Sequence, residues 1–401
     1  MRPLSIRTYH QRRRRRTRLI GIGLAFVVLG GLIYFLVRPS ATKPVLPVQT
    51  APAAPPTPIA VVTRIGSGPA LGTATDATII DLANLSNVRQ HHVGVGAFPD
   101  AVAIDASRNL AYVTNYVTST VTPIDLLTGV AGRAIPAGGG PAGIAITPNG
   151  EMAYVTDAGS APMGNTVTPI NLVTDRPLRA IRVGLGPQGI AITPDGSRAY
   201  VANAGAIVTG QTGAIGHTVT PINLRTGRAL APVNVGNAPI AVAISQDGTT
   251  AFVANSYSGS VSPISIASDT AGTPIQVSGS PQAIASVPSK GEMIVADAAT
   301  TGVDNLTLIS VATETATSSI PVPKNPTAVE ATNDGKSAWT VCFGAGALIR
   351  VNLATGVIDT QHEIAIPNGP FAMTLGSIPS TSAKQLFFPA PVKKSKTKAK
   401  G

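Results

Sequence analysis

The sequence predicts an all-β body folded as a seven-bladed β-propeller, on three observations. A block opening on proline recurs at Pro99, Pro141, Pro187, Pro239, Pro281, Pro326 and Pro370, with spacings of 42 to 52 residues, the length of a four-stranded propeller blade. Apolar residues stand at adjacent as well as alternate positions, the pattern of strands buried on both faces. Turn signals return about every eight to twelve residues, as a chain of short strands requires.

The elements follow in order. Residues 1–18 are a basic tail with eight arginines, Arg2, Arg7, Arg12 to Arg16 and Arg18. Residues 19–37, Leu19 to Val37, carry no charge and at a helical rise would span roughly 28 Å, enough to cross a bilayer once. The arginines before this segment outnumber Arg38 and Lys43 after it, which predicts a cytoplasmic N-terminus and an extracytoplasmic body. A cleaved signal fits less well, since the apolar run is longer than a signal core and Arg38-Pro39 follows it directly. Residues 38–58 hold seven prolines and read as an extended stalk. The propeller is assigned to 59–392, and 393–401 is a lysine-rich tail.

Each block has four pieces. The first strand is Gly-Ile-Ala-Ile or a relative of it (143–146, 189–192), followed by a turn such as Pro194-Asp195-Gly196. The second strand is Ala-Tyr-Val-Thr-Asn or a close variant (111–115, 153–157, 199–203, 251–255). The third carries Pro123, Pro169, Pro221 or Pro263. A proline there removes a ladder donor, so either the fourth strand is expected to pair only in part or a bulge is expected there. Both ends are fragments. Residues 77–81 and 88–96 match third and fourth strands, and 371–375 and 384–388 match first and second strands, so the two ends are expected to combine into a seventh blade. Residues 59–75 have no place in this scheme.

The second-strand motif, Tyr112-Val-Thr-Asn115 with its variants Tyr154-Val-Thr-Asp157 and Tyr200-Val-Ala-Asn203, resembles that of the YVTN-family β-propellers over about residues 77 to 389. The resemblance implies a seven-bladed propeller of surface and exported microbial proteins, related in shape to lactonase-like propellers. It implies no single chemistry.

Charge excludes one function class. The two ends hold 15 of the 30 basic residues and none of the 19 acidic ones, so the body carries a net negative charge and lacks the general positive field of a nucleic-acid binder. Cys342 is the only cysteine, which excludes an intrachain disulfide and a cysteine-rich zinc site. No nucleophile elbow, HExxH helix or phosphate loop occurs, and no cofactor is expected. His91 and His92 alternate across one strand, while His10, His217 and His362 are isolated.

The second strands end on Asn115, Asp157, Asn203, Asn255, Asp297 and Cys342. These Asx side chains are expected mainly to satisfy turn backbone. The longest insertions, 159–165, 205–217 and 301–305, fall between second and third strands on the same side as Tyr116 and Tyr257. That side is the candidate binding face, with Asn115, Tyr116, Asp157, Asn203, His217, Asn255, Tyr257 and Asp297. The function expected is that of an extracytoplasmic binding or scaffold module for a protein or envelope polymer, with a lactonase-like hydrolase as the alternative.

Overall fold

The computed structural model describes residues 54–66, 74–159, 163–206, 214–299 and 301–387. The basic tail, the apolar segment 19–37, most of the proline-rich stretch and the lysine tail lie outside the described residues. No helix among the described residues is long and apolar enough to cross a membrane.

The described residues form seven antiparallel sheets. The first blade is typical: Pro99–Asp105 is innermost, Leu110–Asn115 second, Thr120–Asp125 third, and the outer edge is the pair Val130–Ala131 and Ile135–Pro136. Five further blades begin at Pro141, Pro187, Pro239, Ser280 and Pro326. Proline suits the first position of a strand, where the missing N–H breaks no ladder.

The fourth strand pairs only in part wherever the third carries the proline. In the four blades that carry Pro123, Pro169, Pro221 and Pro263, the outer strand is split into two-residue pieces. The fifth blade has Leu308 at that position and an unbroken outer strand, Thr315–Pro321, whereas the sixth has Arg350 there and an outer strand split into Val357–Ile358 and Ile364–Ala365, so the proline accompanies the break without being required for it. The proline carbonyl still accepts, from Gly132 N–H at 2.7 Å in the first blade, so the loss is confined to the donor.

The seventh blade closes the ring with a division different from the expected one. Among the described residues Pro370–Ile378 is its only C-terminal strand, and Thr57–Arg64, Asp76–Asp81 and Gln90–Gly94 supply the other three. The unplaced residues 59–64 are thus the missing second strand, paired on one side with Pro370–Ile378 and on the other with Asp76–Asp81. Residues 384–388 were expected as that strand, but Ser380–Phe387 is a helix. Its Ala383, Leu386 and Phe387 follow a helical period and pack into the core between the closing and first blades.

The core is divided into seven clusters, one at each seam between blades. At the first seam Tyr112, Val121 and Ile135 meet Ile144, Val155 and Ile170 of the next blade. The motif threonine fastens the inner edge. Thr114 accepts from Ala101 N–H at 2.9 Å and donates to Ala142 C=O of the next blade at 2.8 Å. Thr156 repeats this with Gly143 and Gln188. Each threonine therefore closes a register shift in its own innermost strand and ties it to the neighbouring blade.

Candidate functional site

The residues expected on the binding face lie at the ends of second strands in successive blades. Asn115 accepts from Gly96 N–H at 3.0 Å and donates to Thr120 and Thr122. Asp157 accepts from Gly138 N–H, Thr166 and Thr168. Asn203 does the same work with Gly184, Thr218 and Thr220. Asn255 donates to Ser260 and Ser262, and Asp297 accepts from Ser278. All five are buried. The turn glycines are part of the arrangement, because a Cβ at Gly138 would stand 2.1 Å from the Asp157 carboxyl carbon and one at Gly184 2.5 Å from the Asn203 amide carbon. These side chains hold the link from each outer strand to the next inner strand. Burial raises the pKa values of Asp157 and Asp297, while their hydroxyl and N–H donors pull the other way.

Of this set, Tyr116 and Asp157 line one cavity of 540 Å³ with Gly139, Gly140 and Asn165. Tyr116 also packs against Phe98 with ring centres 5.6 Å apart. His217 and Tyr257 are exposed on the third and fourth blades. Cys342 is fully buried, and burial pushes its thiol up to about 12, so it is an inert core residue.

A more chemically loaded site lies on the opposite side of the ring, between the sixth and closing blades. The register of the sixth blade sets Glu330 opposite Trp339 and Trp339 opposite Arg350, so the three form one row across the sheet on one face. In the first four blades the same row is Ala103-Tyr112-Pro123, Ala145-Tyr154-Pro169, Ala191-Tyr200-Pro221 and Ala243-Phe252-Pro263. The sixth blade departs from the repeat at all three positions together.

The three side chains line a cavity of 530 Å³ at the seam between the sixth and closing blades, walled by Ile59, Leu82, Leu85 and Leu375 and reached by Ile104 of the first blade. Glu330 accepts from Leu375 N–H at 2.8 Å. Burial pushes its carboxyl up to about 7, against the pull of hydrogen bonds from Leu375 and Thr374. Arg350 donates twice to Ser337 Oγ, at 3.2 Å each, and among the described residues it has no carboxylate within ion-pair distance. On the innermost strand of the first blade, Asp100 is likewise pushed by burial to about 7. Among the described residues no group of three His, Cys, Asp or Glu side chains comes together as a metal site.

No family model matches the chain, and no curated protein matches it. Solved structures do. A protein of unknown function from Desulfotomaculum acetoxidans matches 79% of this chain and 98% of its own, at 14% identity and a TM-score of 0.64. A candidate 6-phosphogluconolactonase from Bacteroides fragilis matches 80% and 98%, also at 14% identity and 0.64. Hydrazine synthase from Kuenenia stuttgartiensis matches 68% of this chain and 88% of its own, at 19% identity and 0.59. The chain has the fold of these propellers. Identity this low extends to the fold alone.

Sequence reasoning missed Glu330, Trp339 and Arg350. The signal was available as a column-by-column comparison of the seven blocks, in which a small residue, an aromatic and a proline give way to an acid, an indole and a base.

Proposed function

We propose that the protein is a ligand-binding module of the cell envelope, tethered by residues 19–37 with its propeller outside the membrane, and that its ligand enters the cavity formed by Glu330, Trp339 and Arg350. The observation that carries this reading is the row of three departures from the repeat, gathered in a single cavity with apolar walls. A guanidinium free of carboxylate partners suits an anionic or hydroxyl-rich group. A carboxyl poised near neutrality can accept or donate a hydrogen bond there. The volume suits one sugar or one side chain of an envelope polymer or protein partner. The tether is supported by the charge-free run at 19–37 and the eight arginines before it.

The hydrolase alternative draws on the fold shared with the candidate lactonase. A cavity in which Glu330 and Arg350 are the only charged residues among the described residues supports binding over hydrolysis, which calls for a second group to activate water or the leaving group. Trp339 is the chain's only tryptophan, so its emission reports on the cavity. Titration with soluble envelope glycan fragments should give a saturable change that disappears in Arg350→Ala. Turnover of 6-phosphogluconolactone that is lost in Glu330→Gln would replace this reading with the hydrolase one, and emission unmoved by every fragment would remove the binding claim. Protease added to spheroplasts should cut the propeller and spare a short N-terminal fragment; a fully protected propeller would overturn the orientation.

A further inference from the structure

We infer that the rim cleft between the second and third blades is a binding site for a flexible polyanion whose charges are phosphate groups. Arg179 and Arg182 from the second blade and Arg225 and Arg228 from the third line a single open cavity of 930 Å³, floored by Tyr154 and Pro169. All four are exposed. Among the described residues no carboxylate lies within ion-pair distance of any of them. They are therefore not spent on holding the fold.

The local structure explains how they come together. The outer strands break between Arg176–Pro177 and Ile181–Arg182 and between Arg228–Ala229 and Val233–Asn234, opposite Pro169 and Pro221, which have no N–H to donate outward. The segment freed by the second-blade break carries Arg179, and Arg225 lies in the turn before the third-blade outer edge. Two walls thus present guanidinium groups to one space.

The charge of the whole rim is divided in the same sense. Outer segments of the first three blades hold Arg133, Arg176, Arg179, Arg182, Arg225 and Arg228 against Asp175. Those of the next three hold Asp269, Glu314, Asp359 and Glu363 against Lys324. The net negative charge of the body conceals a positive sector, whose field draws an anion to this side. All four cleft cations are arginine, whose planar fork binds phosphate through paired hydrogen bonds, and a phosphate has oxygens enough to be shared by both walls. A flexible chain can enter a cleft lined from two sides, whereas a flat bilayer or a stiff duplex meets only its rim.

The test uses the full chain in neutral detergent with fluorescently labelled short-chain polyphosphate, read by anisotropy over a salt series. The variant Arg179→Gln, Arg182→Gln, Arg225→Gln, Arg228→Gln should bind at least about tenfold more weakly and show a shallower salt slope. Deleting residues 393–401 should leave a cleft-dependent share of binding in place. In hydrogen exchange, polyphosphate should protect amides near 178–182 and 225–230. Unchanged affinity in the fourfold variant, or protection confined to other segments, would overturn the proposal. So would equally tight binding of duplex DNA of matched charge, which would mark general attraction to cations, or preference for phosphatidylglycerol micelles, which would mark a lipid surface.

Discussion

The Tyr200 hydroxyl donates to the Asp269 carboxylate at 2.7 Å across the seam between the third and fourth blades. Arg198 holds the other carboxylate oxygen at 2.5 Å, so one acid from a neighbouring outer turn satisfies both a buried phenol and a guanidinium. The equivalent phenol at the first seam, Tyr112, is fully buried and has no carboxylate acceptor among the described residues, with the Arg108 guanidinium acting on it instead. The two seams have the same sequence pattern in the second strand and different closure outside it.

Asp269→Ala should therefore destabilise the protein by about 1–3 kcal/mol, because it strands two polar partners at once. Tyr200→Phe should cost about 1 kcal/mol, the loss of one hydrogen bond. Denaturant unfolding of both variants checks the order; a Tyr200→Phe cost as large as that of Asp269→Ala would mean that the Arg198 pairing contributes nothing.

Thr114→Val keeps the shape of the side chain and removes its hydroxyl. Ala101 N–H and Ala142 C=O both lose their partner, at a cost of about 1–2 kcal/mol. The thermal midpoint should fall, and amide exchange should rise at Ala101, whose donor loses its acceptor.

The raised acids set a pH dependence. Burial lifts Glu330 and Asp100 to about 7 in the folded protein, above the ordinary carboxyl range near 4. The folded state thus binds more protons than the unfolded state between about pH 4 and 7, and stability declines as pH rises through that window. Above it the contribution of the two protonated acids is gone. Glu330→Gln should flatten the decline and be relatively more stable at pH 8 than at pH 5. Asp195 and Asp247, held low by hydroxyl and N–H donors in their turns, act in the opposite sense at acid pH and lose their contribution as pH falls below about 4. Urea midpoints at pH 3, 5 and 8 for the parent and Glu330→Gln measure both limbs.

Ring closure can be separated from helix docking. Ending the chain after Gly369 removes Pro370–Ile378 and leaves Thr57–Arg64 with one open edge, so the closing blade should lose protease resistance over residues 57–94. Ending it after Ile378 keeps that strand and removes the helix Ser380–Phe387 with the tail beyond it, taking the side chains of Ala383, Leu386 and Phe387 from one seam. That shorter loss should lower stability while the 57–94 segment stays protected. Equal protease sensitivity in the two truncations would show that the helix, not the strand, secures the ring.

The repeated body is legible because each blade is encoded locally, in turn residues and strand patterns that lie within one block. Four of the broken outer strands are legible for the same reason, since a proline acts on its own ladder, while the sixth blade breaks its outer strand with Arg350 in that place. The closing blade is harder. Ala60-Val-Val-Thr-Arg64 occupies the register of Ala111-Tyr-Val-Thr-Asn115, pairing Arg64 with Pro370 as Asn115 pairs with Pro99. The tyrosine and asparagine that mark the motif are replaced there, and Arg64 is matched to Asp76 by an ion pair. Leu386 and Phe387 looked like strand residues because two adjacent apolar residues fit either period, and only Ala383 three and four places earlier decides for helix. The Glu330-Trp339-Arg350 site was hidden because its members lie on three strands and are united only by cross-strand register. The arginine cleft was hidden by averaging charge over the whole body.

The pairing of Thr63 with Ala372, 309 positions apart, has a consequence for how the chain is made. The three strands at its beginning leave the ribosome first and must wait for the last strand before their sheet is complete, on the order of 15–60 s at ordinary rates of synthesis. Through that interval the inner edge of Val61 and Val62 stands open, a template for any passing strand. The nascent protein is therefore open to mispairing at its earliest strands, and a chain crossing a membrane before it folds would meet its own far end only after both had arrived on the same side.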